Sequence, residues 1–186
     1  MRKPAITQVP VDQTIANRWS GRAYDAARPV SADQVIALLE AARWAPSCFG
    51  DQPWRFIVWN KAANAAAWQQ AFDCIVPGNQ AWVADAPVLL LVCADTLFSH
   101  NQQPNRWAQY DTGAAAENLC LQASSMGLMA HQMGGFDAGM TREKFSIPAQ
   151  FTPMAMVSVG YQADIATLSG DTLARETGER NRKPLA

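Results

Sequence analysis

One apolar run constrains the fold of this chain more than any other feature. It reads PVLLLVCAD at residues 87–95, with a proline at its start and a polar, loop-like segment after it. A run of this length and composition predicts a β-strand that is buried on both faces. Strand-like and helical segments follow each other irregularly around it, which predicts a three-layer domain of the α+β class and not a regular series of βαβ units.

Other segments carry local signals. In SADQVIALLEAARWAP (residues 31–46), Ser31 and Gln34 have the spacing of a capping box and Pro46 ends the pattern, so we expect a helix. We expect Pro77-Gly78 to end a second helix, with GNQAWVADA and TLFSHNQQPN as loops. The remaining expected elements are helices at residues 61–76, 111–127 (about four turns) and around 141–145, and strands at residues 54–59 and 154–161.

The composition excludes several classes of protein. The chain has 186 residues, 49% of them apolar and 17% charged, which fits one domain with a sizeable core. Its net charge of −1 argues against binding to nucleic acid or to an anionic membrane. The four cysteines form no C-x-x-C pair and there are only two histidines, so we expect neither a disulfide framework nor a metal site. No signal peptide or membrane span is predicted, and we expect a soluble, cytoplasmic protein.

Nucleotide-binding and hydrolase motifs are missing from the sequence. It contains no G-x-G-x-x-G after a strand, no phosphate-binding P-loop, no G-x-S-x-G and no H-E-x-x-H. The common readings as a dinucleotide-binding, hydrolase or metalloprotease domain are therefore excluded.

Two pairs of arginines lie near opposite ends of the chain. Arg18, Ser20 and Arg22 alternate in NRWSGR, so they face one way if the segment is extended. Arg180 and Arg182 repeat this alternation in ERNRKP. Guanidinium groups bind phosphate through paired N–H groups, so these residues predict a clamp for an anionic cofactor. Surface arginines that only keep the chain in solution are the alternative.

The segment PSCFGDQPW at residues 46–54, here called the ring loop, carries more functional groups than a helix-to-strand connector needs. It offers a hydroxyl, a thiol, an amide, a flexible glycine and two aromatic rings. It is either an elaborate linker or a binding surface.

Together these segments resemble the flavin-dependent nitroreductase family. The matching pieces occur in the family's order over residues 17–186: RWSGRAYD, LLEAARWAPSCFGDQPWRFIV, GNQAWVADAPV, DTGAAAENLCLQASSMGL, MGGFD, VSVGY and RNRKPL. The resemblance implies a three-layer α/β/α fold around a mostly antiparallel sheet, preceded by an N-terminal extension at residues 1–16. It also implies FMN bound at the interface of a homodimer, with the C-terminal tail exchanged between subunits.

The resemblance assigns a role to each matched position. Arg18, Trp19 and Ser20 would hold the phosphate and ribityl end of FMN with Arg180 and Arg182, while Arg22 would lie near the N1 edge of the flavin. The ring loop of the partner would approach the flavin, with Pro46, Ser47 and Cys48 beside it and Gln52 anchoring the loop. Asn79 would bind the pyrimidine edge, and Gly134 and Gly135 would pass close to N5 and O4. Candidate walls of an open acceptor pocket are Phe49, Phe98, Trp107 and Tyr110, for each of which core packing is the alternative.

Two positions depart from the family pattern. The family often has asparagine where this chain has Gly50, so a polar contact is either missing or supplied by Asp51 or by the backbone. Some members have a lysine where this chain has Trp82, so we expect less positive charge near flavin N1 here.

The implied activity is ping-pong hydride transfer from NADH or NADPH through flavin N5 to a nitroaromatic, a quinone or a related small acceptor. No dedicated catalytic residue is expected, because the chemistry occurs at the flavin. The alternatives are a dimeric FMN-binding protein without turnover and a family member with one dedicated substrate, for example in enal or aldehyde reduction or reductive dehalogenation. The sequence does not choose the acceptor, the nicotinamide or the response to oxygen.

Overall fold

The predicted buried strand lies inside a four-stranded antiparallel sheet in the computed structural model, which describes residues 3–185. This strand, β2 (Val88–Asp95), is buried at every residue. It pairs with β1 (Trp54–Asn60) on one side and with β4 (Phe151–Gly160) on the other, and β3 (Met129–Met133) completes the order β1-β2-β4-β3. Residues 1, 2 and 186, which the predicted extension and domain include, lie outside the described residues.

Helices cover both faces of the sheet. They are α1 (Gln13–Asn17), α2 (Ala32–Arg43), α3 (Ala65–Phe72), α4 (Pro77–Val83), α5 (Ala108–Ser125), α6 (Ala138–Lys144) and α7 (Gly170–Thr177). Alternate residues of β2 point to opposite sides, so Leu90 packs in one core with α2 and α5, while Leu89 packs in a second core with α3 and α4. The predicted three-layer α+β architecture is confirmed.

Several local predictions are confirmed, and others are wrong for identifiable reasons. Helix α2 begins with the predicted capping box between Ser31 and Gln34. Pro77 does not open a loop but occupies the first turn of α4, where its missing N–H costs no hydrogen bond. Helix α5 begins at Ala108 and has 18 residues, about five turns and not about four. Strand β3 was not expected, because MAHQM is short and has little alternation.

The two ends of the described chain pack together. The C-terminal tail contains α7, and Glu176 on that helix is only 1% exposed. Lys3 Nζ donates to the carbonyl oxygens of Arg175 and Glu176, at 3.2 and 3.0 Å. The tail is thus held on the N-terminal residues of its own chain, and its exchange between subunits stays a prediction. Within residues 3–185, no helix has the length and apolarity that crossing a membrane requires.

Candidate functional site

Residues 18–22, here called the arginine segment, form an irregular stretch between α1 and the core. Arg18 Nη1 donates to Ser20 Oγ at 3.4 Å, so the structure brings these two predicted residues together. Arg18 Nε also forms an ion pair with Glu117 Oε1 on α5 at 3.2 Å. Trp19 lies under the ammonium group of Lys3, which is 4.6 Å from the ring centroid.

Arg180 holds the backbone of this region. Its Nη1 donates to the carbonyl oxygens of Lys3 and Ala16, both at 2.7 Å, and its Nη2 donates to the carbonyl oxygen of Arg18 at 2.8 Å. Burial, together with the charges of Arg18 and Arg182, lowers the pKa of Arg180. Arg182 is exposed and donates to the carbonyl oxygen of its neighbour Asn181. The charges of Arg18 and Arg182 thus both act on Arg180, and a bound anion would offset them.

Glu176 holds the other end of the arginine segment. Its Oε1 accepts a 2.7 Å hydrogen bond from the backbone N–H of Arg22, and its Oε2 accepts one from Gln162 Nε2 at 3.2 Å. Because α7 carries Glu176 and the following residues carry Arg180, one short C-terminal stretch fixes both ends of the segment. Sequence reasoning identified Arg180 but missed Glu176, since a lone glutamate in a polar tail gives no signal of burial.

The side chain of Arg22 enters a different environment from that of Arg18. Its guanidinium carbon lies 5.8 Å from the ring centroid of Trp82, and its buried Nε has no hydrogen-bond partner among the described residues. Arg22 and Trp82 line a cavity of about 230 Å³, together with Gly78 and Ala81 of α4 and Asp171, Thr172 and Arg175 of α7.

His131 packs against Trp82, one of the residues that line this cavity. Its ring lies 4.4 Å from that of Trp82, and its Nδ1 is 2.9 Å from the carbonyl oxygen of Gly21. Burial lowers the pKa of His131, and the charges of Arg22 and Arg18 lower it further, against the opposing hydrogen bond to Gly21. The neutral imidazole, with Nδ1–H donating to Gly21, fits these surroundings.

Asn79 and the two predicted glycines form a second contact beside α4. Asn79 Nδ2 donates to the carbonyl oxygen of Gly135 at 3.3 Å, and the backbone N–H of Val76 donates to the same oxygen at 3.1 Å. A Cβ on Gly135 would lie 2.5 Å from Asn79 Nδ2, so this position must be glycine for packing alone. A Cβ on Gly134 would meet nothing within 4 Å, which leaves the backbone there open to a ligand.

A larger cavity, about 420 Å³, lies at the Arg18 end of the arginine segment. It is lined by Arg18 and Trp19, by residues of α1, by the end of α5 and by the start of β3. No sequence motif marks it, because its lining comes from separate stretches of the chain.

The ring loop is a strained turn attached to α5. Phe49, Gly50 and Gln52 have φ values of 56°, 65° and 52°, and a residue with a side chain adopts this left-handed conformation at a cost of roughly 1–2 kcal/mol. The backbone N–H of Cys48 donates to Asp111 Oδ2 at 2.9 Å. Ser47 Oγ accepts from the backbone N–H of Gln52 at 3.0 Å, which closes the turn on itself.

Aromatic side chains gather on the outside of this loop. The Phe49 ring is 83% exposed and contacts the rings of Phe98 and His100, with centroids 5.8 and 5.7 Å away. Trp107 and Tyr110 are exposed at the start of α5, near the Asp111 that binds the loop. Pro46 is also exposed, whereas Trp54 at the end of the loop is buried in the core.

Asp51 joins the ring loop to residues 98–105. Its Oδ1 accepts hydrogen bonds from the backbone N–H and the Oγ of Ser99, at 2.9 and 2.6 Å, and Asn105 Nδ2 lies 3.4 Å from its Oδ2. Burial opposes ionisation of this carboxyl, but the hydrogen bonds from Ser99 outweigh it and the pKa of Asp51 lies below its ordinary value. Both carboxylate oxygens of Asp51 have hydrogen-bond partners within the chain. Asp51 is therefore not free to replace the polar contact that an asparagine at position 50 would make.

The structure thus forms two groups from the predicted residues. Arg18, Trp19, Ser20 and Arg180 lie together, with Arg22 at the far end of the same segment and Asn79 and Gly135 beside α4. Cys48, Phe49 and Phe98 form a separate group with the rest of the ring loop. Among residues 3–185, no set of three or more His, Cys, Asp or Glu side chains is arranged to hold a metal ion.

Comparison with known proteins gives the family of the chain. The model of the Nitroreductase family matches residues 15–161. A protein of Methanothermobacter thermautotrophicus with the provisional name NADH dehydrogenase/NAD(P)H nitroreductase is 32% identical over 163 residues, which cover 86% of this chain and 81% of the relative. A protein of the same provisional name from Archaeoglobus fulgidus is 31% identical over 154 residues, covering 81% and 84%.

Solved structures agree with this match. An oxidoreductase containing FMN superimposes with a TM-score of 0.89 at 34% identity, over 97% of this chain and 91% of the other. A nitroreductase-like protein of Desulfovibrio desulfuricans in complex with FMN has a TM-score of 0.70 at 28% identity, over 95% and 100%. The sequence match and the shared fold together show that the chain belongs to the nitroreductase family, a family of oxidoreductases.

Proposed function

We propose that the chain is an FMN-dependent oxidoreductase that takes reducing equivalents from NADH or NADPH and passes them to a small acceptor such as a nitroaromatic or a quinone. The names of its relatives and the FMN in two similar structures support this proposal. The observation that carries it is the arginine segment, where a cluster of guanidinium groups stands at one end and a buried, unpartnered Arg22 Nε at the other.

The phosphate end of FMN fits the Arg18 side of this segment. Arg18 and Ser20 already share a hydrogen bond, and Arg182 adds an exposed guanidinium. A phosphate there would be held by charge-assisted hydrogen bonds and would offset the repulsion between the arginines. Arg180 has a different part in this arrangement, because its hydrogen bonds go to backbone carbonyls and fix where Arg18 stands.

The flavin end fits the Arg22 side. Arg22 supplies a fixed positive charge and an unused N–H, Trp82 supplies a flat apolar wall, and Gly134 leaves open backbone. When bound, FMN supplies hydride chemistry at N5, and a cation near N1 stabilises its reduced form. Trp82 brings no charge to this cavity, whose charged lining residues are Arg22, Arg175 and Asp171.

The ring loop supplies the apolar part of the acceptor site in this proposal. Phe49 is exposed and packs edge-on against the half-buried Phe98, and flat side chains of this kind bind planar acceptors and exclude water. Water can supply the protons, so the protein needs no acid–base pair placed for one particular acceptor. In this proposal the enzyme therefore reduces a wide range of acceptors.

The active form in this proposal is a homodimer in which the ring loop reaches the FMN of the partner subunit. Exposed apolar side chains favour such an interface: Ile36 and Trp44, on α2 and directly after it, are 62% and 73% exposed. Monomeric proteins rarely leave large contiguous apolar patches exposed. Light scattering of the purified protein should give twice the 20.3 kDa mass of the chain.

The direct test is an absorption spectrum of the purified protein, followed anaerobically after addition of NADH and then of NADPH. We expect a flavin spectrum that bleaches with at least one donor and returns when a nitroaromatic or a quinone is added. A flavin that neither donor reduces would contradict the oxidoreductase proposal and leave FMN binding alone. Colourless protein that cannot be reconstituted with FMN would contradict the cofactor as well.

A further inference from the structure

The carboxylate of Asp51 has its hydrogen-bond partners in one segment, residues 98–105. The residue is half-buried, and its two carboxylate oxygens accept hydrogen bonds from Ser99 and Asn105. These partners come from the loop between β2 and α5, some 50 residues further along the chain. Asp51 therefore connects two segments that have no other hydrogen bond between them among those described.

The ring loop needs such a connection. Phe49 and Gln52 hold left-handed backbone conformations that residues with side chains avoid, and such conformations persist where surrounding contacts over-determine them. The Asp51 side chain lies between these two positions in sequence, so its hydrogen bonds act directly on the strained backbone.

The connection also fixes the position of three rings. Phe98 and His100 flank Ser99, whose N–H and hydroxyl both donate to Asp51. Their rings lie 5.3 Å apart, and each is within 6 Å of the Phe49 ring. The edge-to-face angles of 73° and 67° at Phe49 leave one of its faces uncovered, in keeping with its exposure. Here the cluster of Phe49, Phe98 and His100 is called the ring cluster.

We propose that Asp51 is a positioning residue for acceptor recognition: it holds the ring cluster together, and the ring cluster binds planar aromatic acceptors. The inference rests on the proposed function, because an acceptor site exists only if the chain transfers electrons. It adds to that function a residue that favours flat ring systems such as naphthoquinones and nitroaromatics without touching them. His100 becomes part of the site, although no sequence pattern assigned it there.

The test compares two acceptors that differ in their need for a ring surface. The natural chain, Asp51→Ala and the control Asp73→Ala are assayed with the nicotinamide that reduces the flavin, using 2-methyl-1,4-naphthoquinone and ferricyanide as acceptors. Asp73 is an exposed aspartate on the α3 side, paired with Lys144 at 3.7 Å, so the control removes the same group from a remote place. Ferricyanide has no aromatic face and reports electron transfer alone.

We expect Asp51→Ala to raise KM for the naphthoquinone about 5- to 10-fold, as loss of aromatic contacts would, with kcat within about two-fold. Its kcat/KM for ferricyanide and its FMN content should match those of Asp73→Ala. An unchanged naphthoquinone KM would overturn the proposal, and so would a parallel loss with both acceptors. If the natural chain reduces neither acceptor, the proposed function itself fails; ferricyanide reduction by the natural chain keeps the two failures apart.

A second variant guards against misfolding of the first. Phe49→Ala removes an exposed ring and leaves the core intact, so it should reproduce the KM effect. The double variant should then lose no more than either single variant, because both act on one unit. Additive losses would overturn the proposal. Independently of activity, chymotrypsin should cleave after Phe49 faster in Asp51→Ala than in the natural chain, and equal rates would contradict a positioning role.

Discussion

The arginine segment and the ring loop are both irregular stretches that carry predicted site residues, but they are held in opposite ways. The arginine segment is fixed by residues more than 150 positions away: Arg180 donates to the carbonyl oxygen of Arg18, and Glu176 accepts from the backbone N–H of Arg22. The ring loop is fixed largely by its own side chains, with Ser47 closing the turn and Asp51 reaching the next loop, while Asp111 of α5 accepts from the backbone N–H of Cys48. The first is partly buried and rigidly attached, and the second is exposed and strained.

This difference matches two tasks. A tightly held cofactor needs ligands that are positioned before it binds, and the hydrogen bonds from Arg180 to the backbone, with the contacts of Arg18 to Ser20 and Glu117, hold Arg18 in place in this way. An acceptor site must admit and release molecules, and an exposed loop suits this task. The four predictions below test this division, from the largest expected effect to the smallest.

Replacing Arg18 should have the largest effect on cofactor binding. Charge-assisted hydrogen bonds contribute about 1.5–3 kcal/mol, so Arg18→Ala should raise the Kd for FMN about 10- to 100-fold in fluorescence titrations. Arg43→Ala, which removes an exposed arginine on α2, should leave it unchanged. An unaltered Kd in Arg18→Ala would remove this residue from the site.

Replacing Arg180 should reduce stability as well as FMN affinity. Arg180→Ala leaves the carbonyl oxygens of Lys3 and Arg18 without their donor and removes one of two donors from that of Ala16, which keeps the N–H of Ala5; the expected cost is about 2–3 kcal/mol in the free energy of unfolding. Arg182→Ala is the matched comparison, because its side chain bonds only the adjacent Asn181 and should weaken FMN without lowering Tm. If both variants keep the natural Tm in the apo form, Arg180 does not hold the arginine segment.

Acid should loosen the arginine segment through His131. Its pKa is lowered in the folded chain, so on acidification the unfolded state takes up the proton first and the free energy of unfolding falls as pH drops from about 6.5 toward the folded pKa. Between pH 7.5 and 5.5, the Tm of His131→Gln should vary less with pH than that of the natural chain. His100→Gln changes an exposed histidine and is the control. Identical pH profiles for all three proteins would contradict this role.

Thiol reactivity should distinguish the ring loop from the core, because only the cysteine of the loop is accessible. This is the smallest of the four expected effects. Burial raises the pKa of Cys93 to about 11 and that of Cys120 to about 12, and Cys74 is buried, whereas Cys48 is partly exposed on the ring loop. Ellman's reagent should therefore modify Cys48 in the native protein and the other three only after unfolding. Rapid reaction of a second thiol would mean that the core opens more readily than its packing implies.

The sequence predicts the regular parts of this fold better than the contacts that build the site. Strand β2 and helix α2 can be recognised in the sequence, because an unbroken apolar run and a capping box are patterns within a single short segment. Pro77 misleads, since proline ends a helix in its interior but begins one in its first turn, and only the three-dimensional context decides which. Strand β3 is too short to show a period and forms because β4 offers it an edge.

Site residues follow a similar rule. The residue types of Arg18, Ser20 and Arg22 and their spacing indicate phosphate binding without any structure. That Arg180 donates to backbone and not to ligand, and that Glu176 is buried, depends on how the two ends of the chain meet. Such contacts have no signature within either segment, and the same holds for the link between Asp51 and Ser99.

The central claim is that the arginine segment is built for the phosphate of FMN. Titration of the apo protein with FMN and with riboflavin, which lacks only that phosphate, tests it most directly. The account predicts that FMN binds at least about 100-fold more tightly, as several charge-assisted hydrogen bonds require, and that the difference shrinks at high salt. Equal affinity for the two flavins would contradict it.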